Sequence, residues 1–173
     1  RSRHASAGFS FRSRDELRFE DLRKFGTLDL VPQGEYQTIH GLYTMGVEPL
    51  SEEFTADFFH RLLEGRQTRI KALLLDQKKI AGLGNIYADE SLFRAGIHPE
   101  RSAASLTEAE AERLHAAIQS VLTEAIANQG TTFRDYRTGF GREGSFQNRL
   151  QVYGKKGENC PQCGGVLQYK KVG

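Results

Sequence analysis

The sequence predicts an α+β fold built from three consecutive parts. Up to position 31, apolar residues alternate with polar or small ones, which is typical of strands. Between positions 48 and 129, apolar residues recur instead at helical spacing. Near the end, a Cys-x-x-Cys pair lies between two short apolar runs, which is the pattern of half a zinc ribbon. We therefore expect a short β-region, an all-α bundle and a zinc-ribbon β-hairpin, in that order.

The first part is too small to form a stable sheet of its own. It either completes a sheet supplied elsewhere or follows residues that are missing upstream, and the start at Arg1 without a methionine favours missing sequence. The alternating apolar positions are Phe9, Phe11, Leu17 and Phe19, followed after Gly26 by a further predicted strand, Thr27–Val31.

The second part predicts four helices. Ser51 is the expected N-cap of the first, residues 67–76 form the second, and the third begins near Asn85. A capping box at residues 107–110 starts the fourth, and Gly130 is expected at the C′ position that ends it.

Charge is distributed unevenly along the 173 residues, although the net charge is only +2. Residues 1–25 hold seven Lys/Arg against four Asp/Glu, and residues 130–173 hold eight against three. The middle holds nine against fifteen. Basic ends around an acidic centre indicate a polyanion such as nucleic acid as partner; the alternative is that cations coat exposed loops. The sequence contains no run of about 18 apolar residues, so it predicts no transmembrane span. It also contains no recognisable secretory signal, and we therefore expect an intracellular protein.

The stretch Gly82–Tyr87 is the most informative local pattern. Two glycines precede a polar residue and an amphipathic segment, which exposes the first N–H groups of a helix and favours an anion such as phosphate. An ordinary glycine-rich turn is the alternative.

The Cys160–Cys163 pair is interpreted as half of a zinc site. Tetrahedral zinc needs four ligands, and no Cys or His follows Cys163 in the sequence. The two further ligands of this one ion are therefore expected beyond Gly173. A redox dithiol is the alternative, but no βαβ pattern surrounds the pair.

Two clusters combine cations with aromatic rings. Residues 21–26 could place a ring or a guanidinium into a base stack, whereas the alternative is a strand with Phe25 in the core. Residues 133–137 open a glycine-rich loop that is either functional or simply a mobile basic loop.

Several stretches together resemble the formamidopyrimidine-DNA glycosylase family, in its order and at its spacing, from Leu17 to Gly173. They are Asp21–Thr27, Ile70–Lys71, Ala81–Glu90, Ala95–Pro99, Gly130–Thr132, Leu150–Gly154 and Cys160–Cys163.

The resemblance implies four parts. Residues 1–35 would be the end of an N-terminal β-sandwich domain, and residues 36–130 a helix–two-turn–helix DNA-binding domain. Residues 131–149 would form a lesion-capping loop, and residues 150–173 the first half of a zinc-finger hairpin.

The resemblance also implies residue roles. The expected phosphate-binding residues are Lys71, Gly84 and Asn85. The residues expected to fill the void left by an everted nucleotide are Arg23 and Phe25. The lesion-capping residues are Thr131, Phe133, Arg134, Asp135 and Tyr136. Glu90 is expected to act structurally, by binding nearby backbone N–H groups.

The activity that the resemblance implies is base-excision repair. A monomer in the bacterial cytoplasm, associated with the nucleoid, would bind damaged double-stranded DNA. It would excise oxidised purines such as 8-oxoguanine and formamidopyrimidines, and cleave the abasic site by β,δ-elimination. The family's nucleophile is an N-terminal proline, expected upstream, and none of the residues present is assigned a catalytic role.

Three alternatives stay open. The first is an endonuclease VIII-like glycosylase for oxidised pyrimidines, against which the long loop at residues 131–147 argues. The second is a non-catalytic helix–two-turn–helix module for nucleic acid. The third is a zinc-ribbon scaffold for protein partners, which would leave the combination of Lys71 and Asn85 unexplained.

Overall fold

The computed structural model describes residues 5–21, 24–132 and 143–172. The chain divides into two compact units, residues 1–43 and residues 44–173. The four-part division implied by the family resemblance stays a prediction.

The first unit contains one antiparallel hairpin. Strand β1 (Ala5–Ser10) pairs with β2 (Glu16–Glu20), and Phe9 lies opposite Leu17, so the alternating pattern does form strands here. A 3-10 turn and helix α1 (His40–Tyr43) end the unit.

The predicted strand Thr27–Val31 is wrong, since these residues form no strand. Leu28 is 54% exposed and Leu30 is 100% exposed. An extended apolar run becomes a strand only where a sheet edge supplies hydrogen bonds. The ladder that the described residues form here joins only β1 and β2.

The second unit is built around four helices. They are α2 (Ala56–Leu63), α3 (Ile70–Leu74), α4 (Asn85–Ala95) and α5 (Glu108–Ala127). Their apolar faces meet in one core, whose fully buried side chains include Phe59, Ile70, Leu74, Leu114 and Ile118. Within the described residues, no helix is long and apolar enough to cross a membrane.

The first two helices of this unit begin later than predicted. Thr55, not Ser51, caps α2, because its hydroxyl accepts from the Phe58 N–H at 3.0 Å. The Ser51 hydroxyl instead donates to the Glu48 carbonyl, which closes a separate turn. The predicted helix over residues 67–76 shrinks to α3, because the carbonyls of Arg66 and Thr68 accept from the N–H groups of Ala104 and Ala103 instead of from a helix, and Arg69 becomes the N-cap.

Helix α5 begins as predicted and ends one residue differently. The Thr107 side chain and the Glu110 carboxylate form the reciprocal bonds of a capping box. At the other end, Gln129 takes the left-handed C′ position with φ +59°. Gly130 follows as C″, and its N–H donates to the Ala125 carbonyl at 2.8 Å.

The C-terminal segment packs on α5 and forms no regular strand over residues 143–172, so the predicted zinc-ribbon hairpin is not confirmed as a regular ladder and stays a prediction. Phe146 and Leu150 are buried against Val121 and Ala125 of α5. Two short stretches on either side of the Cys-x-x-Cys turn nevertheless pair, through an antiparallel bridge between Asn159 and Val166 and hydrogen bonds that join Leu167 to residues 157 and 158. Gly154 and Gly157 take left-handed conformations in the turns before this pairing.

Candidate nucleic-acid interface

The hairpin between α3 and α4 is held by one side chain that the sequence did not single out. The Gln77 amide oxygen accepts from the Gly82 N–H at 2.8 Å, and its nitrogen donates to the Leu83 carbonyl at 2.9 Å. Gly82 has φ +74°, a conformation that favours glycine. Gln77 therefore fixes the glycine-rich turn that delivers the chain to α4.

The segment before α2 also binds this hairpin through its backbone. Val47 forms a parallel bridge with Ile80, and the Ala81 N–H donates to the Val47 carbonyl at 3.0 Å. A Cβ on Gly46 would lie 2.2 Å from the Lys79 carbonyl carbon, so only glycine allows this approach. The hairpin is thus held on two sides.

The N-terminus of α4 is open to solvent. Gly84 is the N-cap, in extended conformation, and no side chain caps this helix end. Gly84 and Asn85 are exposed, while Leu83 between the two exposed glycines is fully buried and anchors the turn. The first N–H groups of a helix have no acceptor within the helix, and the helix dipole adds positive potential there. This geometry suits an anion, although a phosphate contact stays a prediction.

Lys71 belongs to α3, and its side chain reaches α4, where it forms an ion pair with Asp89. It is 7% exposed, and its Nζ lies 2.8 Å and 3.0 Å from the two carboxylate oxygens of Asp89. Asp89 follows Asn85 by four residues, so the two share one helix face about 6 Å apart along the axis. The structure therefore brings Lys71 close to Asn85 through a carboxylate that the sequence analysis missed. The spacing of Asn85 and Asp89 on α4 was the available signal.

Glu90 has the structural role expected of it. Its side chain is fully buried, and its carboxylate accepts from the backbone N–H groups of Gln151, Val152 and Tyr153, each at 2.9 Å. These donors lie more than 60 residues away in sequence. Glu90 consequently ties α4 to the beginning of the C-terminal segment.

Hydrogen bonds hold the two ends of the predicted lesion-capping loop, residues 131–132 and residues 144–147. Thr131 approaches α4, with its hydroxyl 3.4 Å from that of Tyr87. The Thr132 hydroxyl accepts from the Gly144 N–H at 2.9 Å, and the Thr132 N–H donates to the Gln147 side chain at 3.0 Å. These bonds hold residues 131–132 beside residues 144–147. The other residues expected to cap a lesion, Phe133, Arg134, Asp135 and Tyr136, lie outside the described residues.

Of the two residues expected to fill a void in DNA, only Phe25 is described. It belongs to no strand and is 81% exposed, so a core position for Phe25 is wrong. Next to it, the Gly26 N–H donates to the Asp21 carboxylate at 2.5 Å. Arg23 lies outside the described residues.

The Cys160–Cys163 turn has the geometry of a metal-binding knuckle. Hydrogen bonds from the backbone N–H groups of Cys163 and Gln162 lower the pKa of the Cys160 thiol, which favours the thiolate that binds metal. The Gly164 N–H donates to the Cys160 carbonyl, and the Cys160 N–H to the Gly165 carbonyl. This donor set fits two of the four ligands of zinc.

The far end of the C-terminal segment is also attached to the bundle. Lys170 pairs with Glu100, and this contact lowers the pKa of the Glu100 carboxyl. The knuckle is therefore bracketed by two attachments, Glu90 before it and Glu100 after it.

Comparison with known proteins identifies the family. Residues 45–137 match the model described as formamidopyrimidine-DNA glycosylase H2TH domain. The formamidopyrimidine-DNA glycosylase of Brevibacillus brevis is 51% identical over 95% of this chain, which spans 60% of that relative.

Solved structures agree. The MutM (Fpg) protein of Thermus thermophilus matches 99% of this chain with a TM-score of 0.92 at 46% identity, over 65% of its own chain. A Lactococcus lactis Fpg mutant, solved with DNA containing Fapy-dG, matches 99% of this chain with a TM-score of 0.90 at 38% identity, over 63% of its own chain. This chain belongs to the formamidopyrimidine-DNA glycosylase family.

Proposed function

We propose that this chain is the DNA-gripping part of a DNA glycosylase and AP lyase of base-excision repair. The intact protein everts oxidised purines from double-stranded DNA, excises them and cleaves the abasic site by β,δ-elimination. The observation that carries the proposal is the ion pair of Lys71 with Asp89, which lies one turn along α4 from the open N-terminus of that helix. The proposal is supported by the Lactococcus lactis relative, which has been solved with DNA containing Fapy-dG.

The phosphate grip has a simple physical basis. The N–H groups at the start of α4 and the Asn85 amide donate to a phosphate flanking the lesion, and the bare backbone of Gly84 allows its close approach. Lys71 lies one turn further along, where its ammonium is bound by Asp89, so the pair carries no net charge. Lys71 therefore acts on a phosphate oxygen as a hydrogen-bond donor that Asp89 holds in place. The grip therefore depends on hydrogen-bond geometry more than on net charge.

Eversion of the lesion needs groups that replace it in the stack. The exposed Phe25 ring fills the gap, and Arg23 donates to the base left without a partner. The loop that begins at Thr131 closes over the everted base. Its backbone N–H groups and carbonyls can distinguish oxidised guanine, which carries an N7–H that guanine lacks.

The zinc site holds one ion through Cys160, Cys163 and two ligands beyond Gly173. A bound zinc ion neutralises the two thiolates and stabilises the fold of the hairpin. The chemical step belongs to an N-terminal proline upstream of Arg1, whose amine displaces the base at the sugar C1′ and forms a Schiff base. We propose a monomer that acts on damaged double-stranded DNA in the cytoplasm of a bacterium, associated with the nucleoid.

Borohydride trapping tests this function. The purified protein, with its intact mass recorded, is incubated with duplexes that carry 8-oxoguanine, an oxidised pyrimidine or no lesion. A reduced covalent adduct on the 8-oxoguanine duplex is expected. A preference for the oxidised pyrimidine would instead indicate an endonuclease VIII-like enzyme. Binding without an adduct, by a protein of this chain's mass, would indicate a non-catalytic module.

A further inference from the structure

A cluster of metal-ligating side chains joins α2 to α5, outside the residues assigned to DNA. One ring nitrogen of His60 and one carboxylate oxygen each from Glu108 and Glu112 lie within 4.8 Å of one another. Among the described residues, this is the one group of three or more such side chains close enough to share an ion.

The cluster is held in place by the way the two helices begin and pack. The Thr107–Glu110 capping box fixes the start of α5, and Glu108 and Glu112 then project from one face, one turn apart. Near the same face, His115 stacks on Phe54 with ring centroids 4.9 Å apart, and its Nε2 lies 2.7 Å from the Phe54 carbonyl oxygen. These contacts fix α5 beside the segment that leads into α2.

A second observation points to a missing partner for the histidine. The Nε2 atom of His60 is buried and has no hydrogen-bond partner among the described residues. A buried polar atom without a partner destabilises the folded state, so it calls for an explanation. A cation bound by the His60 ring and the two glutamates is one such explanation. The two carboxylates supply the negative charge that such a cation needs.

We propose that His60, Glu108 and Glu112 form a second metal site that binds a divalent cation of the zinc class. The imidazole nitrogen selects Zn²⁺, Ni²⁺ or Co²⁺ over Mg²⁺ and Ca²⁺, which prefer sets of oxygen ligands. Three protein ligands leave a coordination position for water, and both carboxylates are exposed, so the ion exchanges with solvent. The bound ion cross-links α2 to α5. This site is independent of the proposed function and of the cysteine knuckle.

The test must separate this site from the cysteines. Zn²⁺ is titrated by calorimetry into the Cys160→Ser/Cys163→Ser variant, free of any affinity tag, after its helical signal has been checked. One Zn²⁺ per chain is expected to bind. Glu112→Gln in this background should weaken Zn²⁺ binding at least about tenfold. Glu64→Gln, at the exposed end of α2, is the matched control and should leave it unchanged.

A second readout locates the ion directly. Paramagnetic Ni²⁺ should broaden the NMR signals of His60 and of the first two turns of α5 and leave those of the knuckle unaffected. The proposal is overturned if no Zn²⁺ binds up to about 1 mM. It is equally overturned if both Glu108→Gln and Glu112→Gln bind Zn²⁺ as tightly as their parent. These glutamates are exposed, so their variants should fold.

Discussion

Replacing Glu90 by glutamine tests how the C-terminal segment is held. One carboxylate oxygen accepts from two backbone N–H groups and the other from a third, all within a fully buried site. Glutamine keeps one oxygen but turns an NH₂ group toward a backbone donor. That donor loses its acceptor, which costs about 1–3 kcal/mol. The two remaining hydrogen bonds weaken by about 1 kcal/mol each, because their acceptor no longer carries a negative charge. Part of this loss is offset, because the variant no longer has to bury a charged carboxylate.

The net destabilisation we expect for Glu90→Gln is about 2–4 kcal/mol. Urea unfolding followed by circular dichroism measures it, and with a slope of about 1–3 kcal/mol/M the midpoint should fall by roughly 1 M or more. Glu64→Gln, which changes an exposed carboxylate of the same bundle, should stay within about 0.5 kcal/mol of the parent.

The pattern of hydrogen exchange separates a local effect from a general one. In Glu90→Gln, the amides of residues 151–153 should lose protection before those of α4 and α5. An unchanged urea midpoint would refute the reasoning, because the three bonds would then contribute nothing net. Uniform loss of protection throughout the bundle would refute the view that Glu90 acts as a local tether.

Four further predictions concern the interface and the bundle. Lys71→Ala should weaken binding to damaged and undamaged duplex equally, and the slope of log affinity against log salt concentration should flatten by about 1. Asp89→Asn should steepen that slope, because it releases the ammonium of Lys71. Fluorescence anisotropy at several salt concentrations measures both, and an unchanged slope in Lys71→Ala would exclude a phosphate contact. Phe25→Ala should impair eversion more than initial binding, as reported by a fluorescent base at the lesion; equal losses would contradict a void-filling role. Hydrogen bonds from the Arg101 side chain and from the Thr107 N–H lower the pKa of Glu110 to about 2, below its usual 4.5, so its contribution to stability is complete above pH 4.5 and disappears as the pH falls toward 2. Arg101→Ala removes the larger of these two causes and should flatten acid unfolding, monitored by circular dichroism, in that window; an unaltered profile would refute the linkage. Chelation of zinc should reduce DNA affinity without melting the bundle, and loss of the helical signal would show that the two do not fold separately.

Local chemistry made several elements predictable. The capping box at Thr107 and the glycine-led start of α4 depend on residues within a few positions of each other, so the sequence carries the whole signal. The start of α2 was misplaced because Ser51 and Thr55 are both acceptable N-caps. The structure decides in favour of Thr55, because the Ser51 hydroxyl is already bonded to the Glu48 carbonyl in a separate turn.

Other features depend on partners far away in sequence. The alternation at residues 27–31 is a strand pattern, but pairing needs a neighbouring edge that a pattern cannot supply. The association of Lys71 with Asp89 also escaped prediction, since it joins a short helix to the next one across the hairpin. The role of Gln77 was not predicted either, because the sequence does not show whether a glutamine near a turn binds the backbone of that turn.

The bonds of Glu90 also set an order of events during folding. Its donors are made more than 60 residues after it, so on a growing chain all of α5 is synthesised before the carboxylate has any of them to bind. Until then the Glu90 carboxylate stays hydrated. The face of α5 that carries Val121 and Ala125 also stays exposed to solvent until Phe146 and Leu150 pack against it. On a growing chain we therefore expect the helical bundle to form first, from nearby contacts, and the C-terminal segment to dock last. Chains whose synthesis stops shortly after α5 would present an apolar patch beside an unpaired carboxylate, the kind of surface that chaperones and proteases recognise.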